Sequence, residues 1–206
     1  MSHKSHWEKI YATKRQDEVS WYQPTPGVSL DFINELNIPK DAAIIDVGGG
    51  DSYLVDNVLA AGFTDITVLD ISEEAITRTR QRLGKEAEKI NWIISDINDL
   101  VTDKKFDCWH DRAAFHFLTT EKQVEKYLTI AQEHISKNGR MIIGTFSTSG
   151  PEKCSGLPIK QYSEQSLSKV LKHWFEKIKC ITTDHVTPFN TIQNFLFCSF
   201  KKINFQ

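Results

Sequence analysis

Apolar and polar positions follow two alternating rhythms through the middle of the chain. Short apolar runs at 42–47, 66–70, 91–95, 106–110 and 140–146 have the length and β-branched content of buried strands. Between them, 53–61, 73–86 and 121–136 repeat apolar residues three and four apart, the period of a helix. In 73–86, Ala75, Ile76, Thr79 and Leu83 share one face while Arg78, Arg80, Gln81 and Arg82 point outward. Ser72 stands as N-cap, with Glu73 and Glu74 in the first turn, where the helix dipole favours acids. Repeated strand–helix–strand units predict a parallel sheet covered on both faces.

The alternation stops near the end. A helix is expected over 163–174, capped by Ser163, followed by strands at 175–184 and 193–201 with Pro188 in the turn between them. With no helix to cross over, those two strands must pair antiparallel. Residues 147–162, with Gly150-Pro151, Gly156 and Pro158, read as a long loop of the kind that forms lids or binding segments. The expectation is a single domain over 1–206: an aromatic cap at 1–41, a core at 42–146, the candidate lid at 147–162, and a terminal helix and hairpin at 163–206.

Composition changes this picture little. A formal net charge of −2 gives no general attraction to nucleic acid or anionic lipid. No apolar run approaches the roughly 20 residues of a membrane span, and the opening MSHKSHWEKIY lacks the apolar centre of a signal peptide. Cys108, Cys154, Cys180 and Cys198 show no C-x-x-C spacing, so free thiols in a reducing, cytoplasmic setting are expected rather than disulfides or a metal site.

The informative stretch is Ile44-Ile45-Asp46-Val47-Gly48-Gly49-Gly50-Asp51-Ser52-Tyr53. A strand that runs into glycines and then a helix brings backbone close to a ligand. A dinucleotide fingerprint fails in either alignment: Tyr53 falls where the third glycine belongs, or Asp51 faces the pyrophosphate. No Gly-Lys-Ser/Thr follows, so a P-loop fails as well. The pattern D-x-G-x-G-x-[G/S] fits, through Asp46, Gly48, Gly50 and Ser52. On these residues the chain resembles class I S-adenosylmethionine-dependent methyltransferases.

That resemblance implies a Rossmann-like three-layer αβα sandwich, with a seven-stranded, mostly parallel sheet and an antiparallel C-terminal strand. It implies S-adenosylmethionine as cofactor and S-adenosylhomocysteine as product. Asp46 is then expected near the methionine moiety, with Gly48, Gly49 and Gly50 leaving room for it. Asp70, ending "TVLD", is placed for the ribose hydroxyls, as in many nucleotide sites. Asp96, ending "WIISD", is placed for the adenine amino group, with Ile71 and Ile97 on either side of the ring.

Methyl transfer needs mainly alignment and a proton acceptor. Those groups are sought in 106–117, where His110, Asp111, Arg112 and His116 gather at a strand end. His116 is the preferred base and Asp111 the preferred lining residue; the competing readings are a packed ring and a structural ion pair. Trp21 and Tyr22 are candidates to cover the sulfonium or a cationic substrate by cation–π contact; the alternative is an amphipathic helix that packs its aromatics onto the sheet edge. Cys154 is a lesser candidate for meeting a thiol or metalloid acceptor. The Asn/Asp-Pro-Pro-Tyr/Phe and Pro-Cys motifs of nucleic-acid methyltransferases are absent, which favours a small-molecule acceptor. The opening segment resembles the cap of small-molecule thiol methyltransferases and of a group of protein-lysine methyltransferases, whose Asp-Lys-Gly-Thr stretch is here Asp111-Arg112-Ala113-Ala114. A protein substrate therefore stays open, as do a nicotinamide-dependent oxidoreductase and a non-catalytic cofactor-binding domain. The sequence leaves the oligomeric state undetermined.

Overall fold

The computed structural model describes residues 2–204; Met1, Phe205 and Gln206, the outermost ends of the predicted cap and terminal hairpin, lie outside the described residues. Seven strands form one sheet in the order β3-β2-β1-β4-β5-β9-β8. These are β1 (Ala43–Val47), β2 (Asp65–Asp70), β3 (Ile90–Ile94), β4 (Phe106–Arg112), β5 (Ile135–Phe146), β8 (Phe175–Val186) and β9 (Ile192–Lys202). The first five run parallel, and β9 lies antiparallel to both β5 and β8. A two-strand hairpin, β6 (Lys153–Cys154) with β7 (Leu157–Pro158), folds inside the predicted lid loop.

Both faces of the sheet are covered, so the central strands are apolar along their whole length. All five residues of β1 are buried. Ala43, Ile45 and Val47 pack with Trp109, Met141 and Ile143 beneath α5 (Glu121–His134) and α6 (Glu164–Leu171). Ile44, Val68, Cys108 and Ile142 face the other way, toward α2 (Gly27–Glu35), α3 (Leu54–Ala60) and α4 (Glu73–Leu83). Ser72, Thr120 and Ser163 cap α4, α5 and α6 as their sequences demand.

Three features depart from expectation. The cap holds two helices, α1 (His3–Thr13) and α2, the second of which is not marked out by the apolar pattern. Arg78 and Arg82 do not face solvent. Arg82 binds Asp51 at 2.7 Å and Asp56 at 2.8 Å, and Arg78 binds Asp51 at 3.0 Å. Arg78 also donates to the carbonyls of Tyr11 and Lys14, closing the C-terminal end of α1. Arg78 and Arg82 thus clamp α1 and α4 to the glycine turn, while Arg80 and Gln81 face solvent as expected.

The third departure corrects the cysteine reading. Cys180 and Cys198 form a disulfide, because β8 and β9 set them opposite each other in register. Sequence spacing cannot show this, since the pairing arises from strand register across a hairpin. The bond removes the cysteine-based argument for a reducing compartment. Cys108 and Cys154 are free and buried. No helix among the described residues is long and apolar enough to cross a membrane.

Candidate active site

At the carboxyl ends of β3, β2, β1 and β4 lies a cavity walled by Asp96, Asp70, Asp46 and His110. Its floor is the glycine turn. Gly48 has φ +67°, and a Cβ there meets Ala114 Cβ at 2.7 Å; Gly50 has φ +36°, and a Cβ there meets Asp70 Oδ2 at 2.6 Å. A Cβ at Gly49 meets Asp46 Oδ2 at 2.5 Å. A side chain at Gly49 or Gly50 displaces a carboxylate, and one at Gly48 displaces Ala114. Gly48 and Gly49 line the cavity directly, whereas Gly50 sits behind it, its carbonyl accepting from Thr79 Oγ1 at 2.7 Å.

The acids are held differently. Asp70 is buried, with Oδ1 accepting from Ser72 N at 2.8 Å and Oδ2 turned toward Gly50. Burial, reinforced by Asp46 and Glu8, pushes its carboxyl up to about 7 against the opposing Ser72 N–H bond. Asp96 caps the short turn Ile97–Asp99 through Asn98 N. Ile71, Ile97 and Trp21 also line the cavity.

Asp46 joins a buried chain. Its Oδ1 lies 2.7 Å from His110 Nδ1, and His110 Nε2 lies 2.9 Å from Ser29 Oγ. Register explains the first contact: Asp46 and His110 are paired residues on adjacent parallel strands, pointing to the same face. With Asp46 ionised, Nδ1–H donates to it, and the free Nε2 accepts from the Ser29 hydroxyl. Ser29 comes from α2, which the apolar pattern alone leaves undetected. The signal was present as Pro26-Gly27 followed by Val28, Phe32, Ile33 and Leu36.

The same alternation removes Asp111 from the cavity. The strand continues through Arg112, so residues 110 and 112 face the cavity while 111 faces α5. There Asp111 accepts from Ala114 N at 3.1 Å, Phe115 N at 2.9 Å and Tyr127 Oη at 2.8 Å, and Tyr127 Oη in turn accepts from Trp109 Nε1 at 2.8 Å. Burial pushes the Asp111 carboxyl up to about 6, opposed by those donors. Its place is structural. Tyr127→Phe leaves a buried donor and a buried acceptor unmatched, and is expected to cost about 1–3 kcal/mol. A lower urea midpoint at unchanged m-value is the check.

His116 is also brought elsewhere. It lies in the turn Phe115–Phe117, fully buried, its ring stacked on Phe146 at 4.7 Å and edge-on to Phe117 at 4.6 Å. Neither ring nitrogen has a hydrogen-bond partner among the described residues, and the ring is outside the cavity wall. Burial, with Arg112 second, lowers its pKa to about 3, so it is a neutral, packed ring at pH 7.

The cavity is roofed by α1 and the segment after it. Trp7 packs edge-on against Trp21 at 5.6 Å and Phe117 at 5.2 Å, and Tyr11 meets Trp21 at 6.2 Å. The helix is anchored by Glu8, whose carboxylate accepts from Ser72 Oγ, Glu73 N and Glu74 N at the start of α4. Tyr22 instead meets Tyr53, outside the cavity. Cys154 is buried in the cavity wall, its thiol pushed up to about 12 by burial and so un-ionised at pH 7.

Three carboxylates on successive strand ends suit a cationic nucleoside, and the turn offers close backbone approach with no lysine for a pyrophosphate.

Comparison with known proteins agrees. A family model described as a methyltransferase domain matches residues 38–194. A ubiquinone biosynthesis O-methyltransferase of Rickettsia conorii is 24% identical over 157 residues, 76% of this chain and 53% of the relative. The eEF1A lysine and N-terminal methyltransferase of Mus musculus is 25% identical over 171 residues, 70% of this chain and 23% of the relative. This chain thus spans about half or less of the length of these relatives. Among solved structures, the 1,6-didemethyltoxoflavin-N1-methyltransferase of Burkholderia thailandensis, with 1,6-didemethyltoxoflavin and S-adenosylhomocysteine bound, superposes with a TM-score of 0.76 at 19% identity. The match covers 98% of this chain and 87% of that one, and establishes a shared fold.

Proposed function

Because the chain belongs to the methyltransferase-domain family, we propose that it transfers a methyl group from S-adenosylmethionine to a nucleophilic atom of a small-molecule acceptor. The observation that carries this reading is the convergence of Asp46, Asp70 and Asp96 with Gly48 and Gly49 on a single roofed cavity. Asp70 would hold the ribose hydroxyls, Asp96 the adenine amino group with Ile71 and Ile97 beside the ring, and Asp46 would serve the methionine end. When bound, the cofactor supplies a methyl carbon activated by its sulfonium.

The chain's own part is alignment, exclusion of water and proton removal. Trp7, Tyr11 and Trp21 cover the cavity and present ring faces and edges to a cation. Ser29 lines the cavity, and its hydroxyl donates to His110 Nε2 at 2.9 Å. An acceptor proton passes to Ser29 Oγ as the Ser29 proton moves to His110, and Asp46 balances the resulting imidazolium. His110 therefore takes the role that sequence reasoning gave to His116. The enclosure by α1 favours a compact acceptor over a protein side chain presented from a bulky surface.

Calorimetric titration with S-adenosylmethionine, S-adenosylhomocysteine and NAD tests the cofactor. Micromolar binding of the first two without NAD is expected; NAD binding in their place overturns the reading. Release of S-adenosylhomocysteine across thiols, amines, phenols, carboxylic acids and peptides then tests the acceptor class, and turnover of peptides alone overturns the small-molecule reading.

A further inference from the structure

Resting on the methyltransferase reading, we propose that the acceptor carries a carboxylate, or a similar planar anion, anchored by Arg112. The side chain emerges from the last residue of β4 into the cavity wall, two residues beyond His110 and on the same face. Its Nη1 donates to the Trp21 carbonyl at 3.1 Å, and the guanidinium carbon lies 5.2 Å from the Phe195 ring centroid. Its Nη2 is buried with no hydrogen-bond partner, and among the described residues Arg112 forms no ion pair. The two arginines of α4 that turn inward both have carboxylates, Arg78 with Asp51 and Arg82 with Asp51 and Asp56. The carboxylate whose charge acts on Arg112, Asp46, is already bound to His110, so a buried guanidinium with an unmatched Nη2 gains from a ligand that supplies an anion. Its flat fork of donors matches a carboxylate.

Position distinguishes the acceptor from the cofactor as the source of that anion. The acids follow the sheet order, Asp96 just past the end of β3, Asp70 on β2 and Asp46 on β1, with neighbouring strands roughly 4.8 Å apart. A nucleoside laid along them places its adenine, ribose and methionine over β3, β2 and β1. Arg112 belongs to the next strand and sits among groups from beyond it, Phe195 on β9 and Cys154 in the loop hairpin. The cavity is therefore acidic where a cationic donor lies and cationic where the acceptor enters. The same charge opposes a lysine ammonium as acceptor. Because a guanidinium draws electron density from a bound carboxylate, the anion serves as a handle, and the methylated atom is another group of the same molecule, near Ser29.

The test uses the full chain saturated with S-adenosylhomocysteine, so that only the acceptor end is free. Acetate, succinate, benzoate, phenylacetate and 4-hydroxybenzoate are each titrated beside the corresponding amide. At least one acid is expected to bind about tenfold or more tightly than its amide, as a charged hydrogen-bonded pair provides. Arg112→Gln is expected to abolish that preference while affinity for S-adenosylhomocysteine stays within threefold. Arg112→Lys, which keeps the charge in the same fold, is expected to retain a weaker preference. Acids binding no better than amides overturns the proposal, as does a preference that survives in Arg112→Gln. Loss of S-adenosylhomocysteine affinity in the variants, with 5′-methylthioadenosine binding intact, also overturns it by giving Arg112 to the donor's own carboxylate. Failure of wild-type protein to bind S-adenosylhomocysteine at all strikes instead at the methyltransferase reading.

Discussion

Asp70→Asn is expected to stabilise the unliganded protein and to weaken its hold on S-adenosylhomocysteine by about a hundredfold. Both effects come from one buried carboxyl. Burial, with repulsion from Asp46 and Glu8, raises Asp70 to about 7 despite its bond from Ser72 N, whereas an unfolded aspartate titrates near 3.9. Between those values the folded protein binds a proton that the unfolded chain has released. Stability from this group is therefore fully present below about pH 4 and falls as pH rises through about 7. At roughly 1.4 kcal/mol per pH unit, the ionised carboxylate costs on the order of 2–4 kcal/mol above neutrality. Asparagine keeps the acceptor for Ser72 N and cannot ionise, so its melting temperature above pH 7.5 should exceed that of the native chain. The nucleoside needs the charge: two ribose hydroxyls donating to a carboxylate lose about 1.5 kcal/mol or more each on a neutral amide. In the native chain, affinity should rise about tenfold per pH unit below 7 and level off above it, and this slope should vanish in the variant. Calorimetry across pH 5.5–8.5 reads both; a variant that melts lower, or binds as before, refutes this account of Asp70.

The parts of the molecule that the sequence reveals are those governed by local rules. Strands of a covered parallel sheet are short, wholly apolar runs that end abruptly, so β1 and β2 and the aspartates closing them stand out, as does the hairpin that reverses β9. Groups placed by neighbours in space are hidden. Asp111 and His110 are adjacent in sequence and opposite in direction, and only the continuation of β4 through Arg112 decides which one meets the cavity. Arg78 and Arg82 read as a solvated face because Asp51, their partner, is 27 and 31 positions earlier in the chain. Ser29 lies in a nine-residue helix with three buried positions, too short for its periodicity to stand out against two nearby prolines. His116 looks catalytic as a letter among phenylalanines, yet those phenylalanines are what bury it.

His110→Ala is expected to lower turnover by a factor on the order of 10²–10³, the usual contribution of a positioned base. Cofactor affinity should change by less than tenfold, because Asp46 remains in place. Ser29→Ala removes only the relay, leaving room for water beside Nε2, and should cost less than the histidine does. If proton removal limits the rate, the loss in both variants shrinks as pH rises and the acceptor ionises unaided, since a thiolate or phenolate needs no base. A structural role for His110 predicts instead a pH-independent loss together with a lower melting temperature. His116→Phe supplies the contrast: it keeps a ring against Phe146 and removes two buried nitrogens that have no partners, so turnover should stay within threefold of the native value. A collapse of turnover in His116→Phe beside a mild effect in His110→Ala would return the proton to the histidine that the fold has packed away, and would mean that methyl transfer occurs on a conformation in which the turn after β4 has opened.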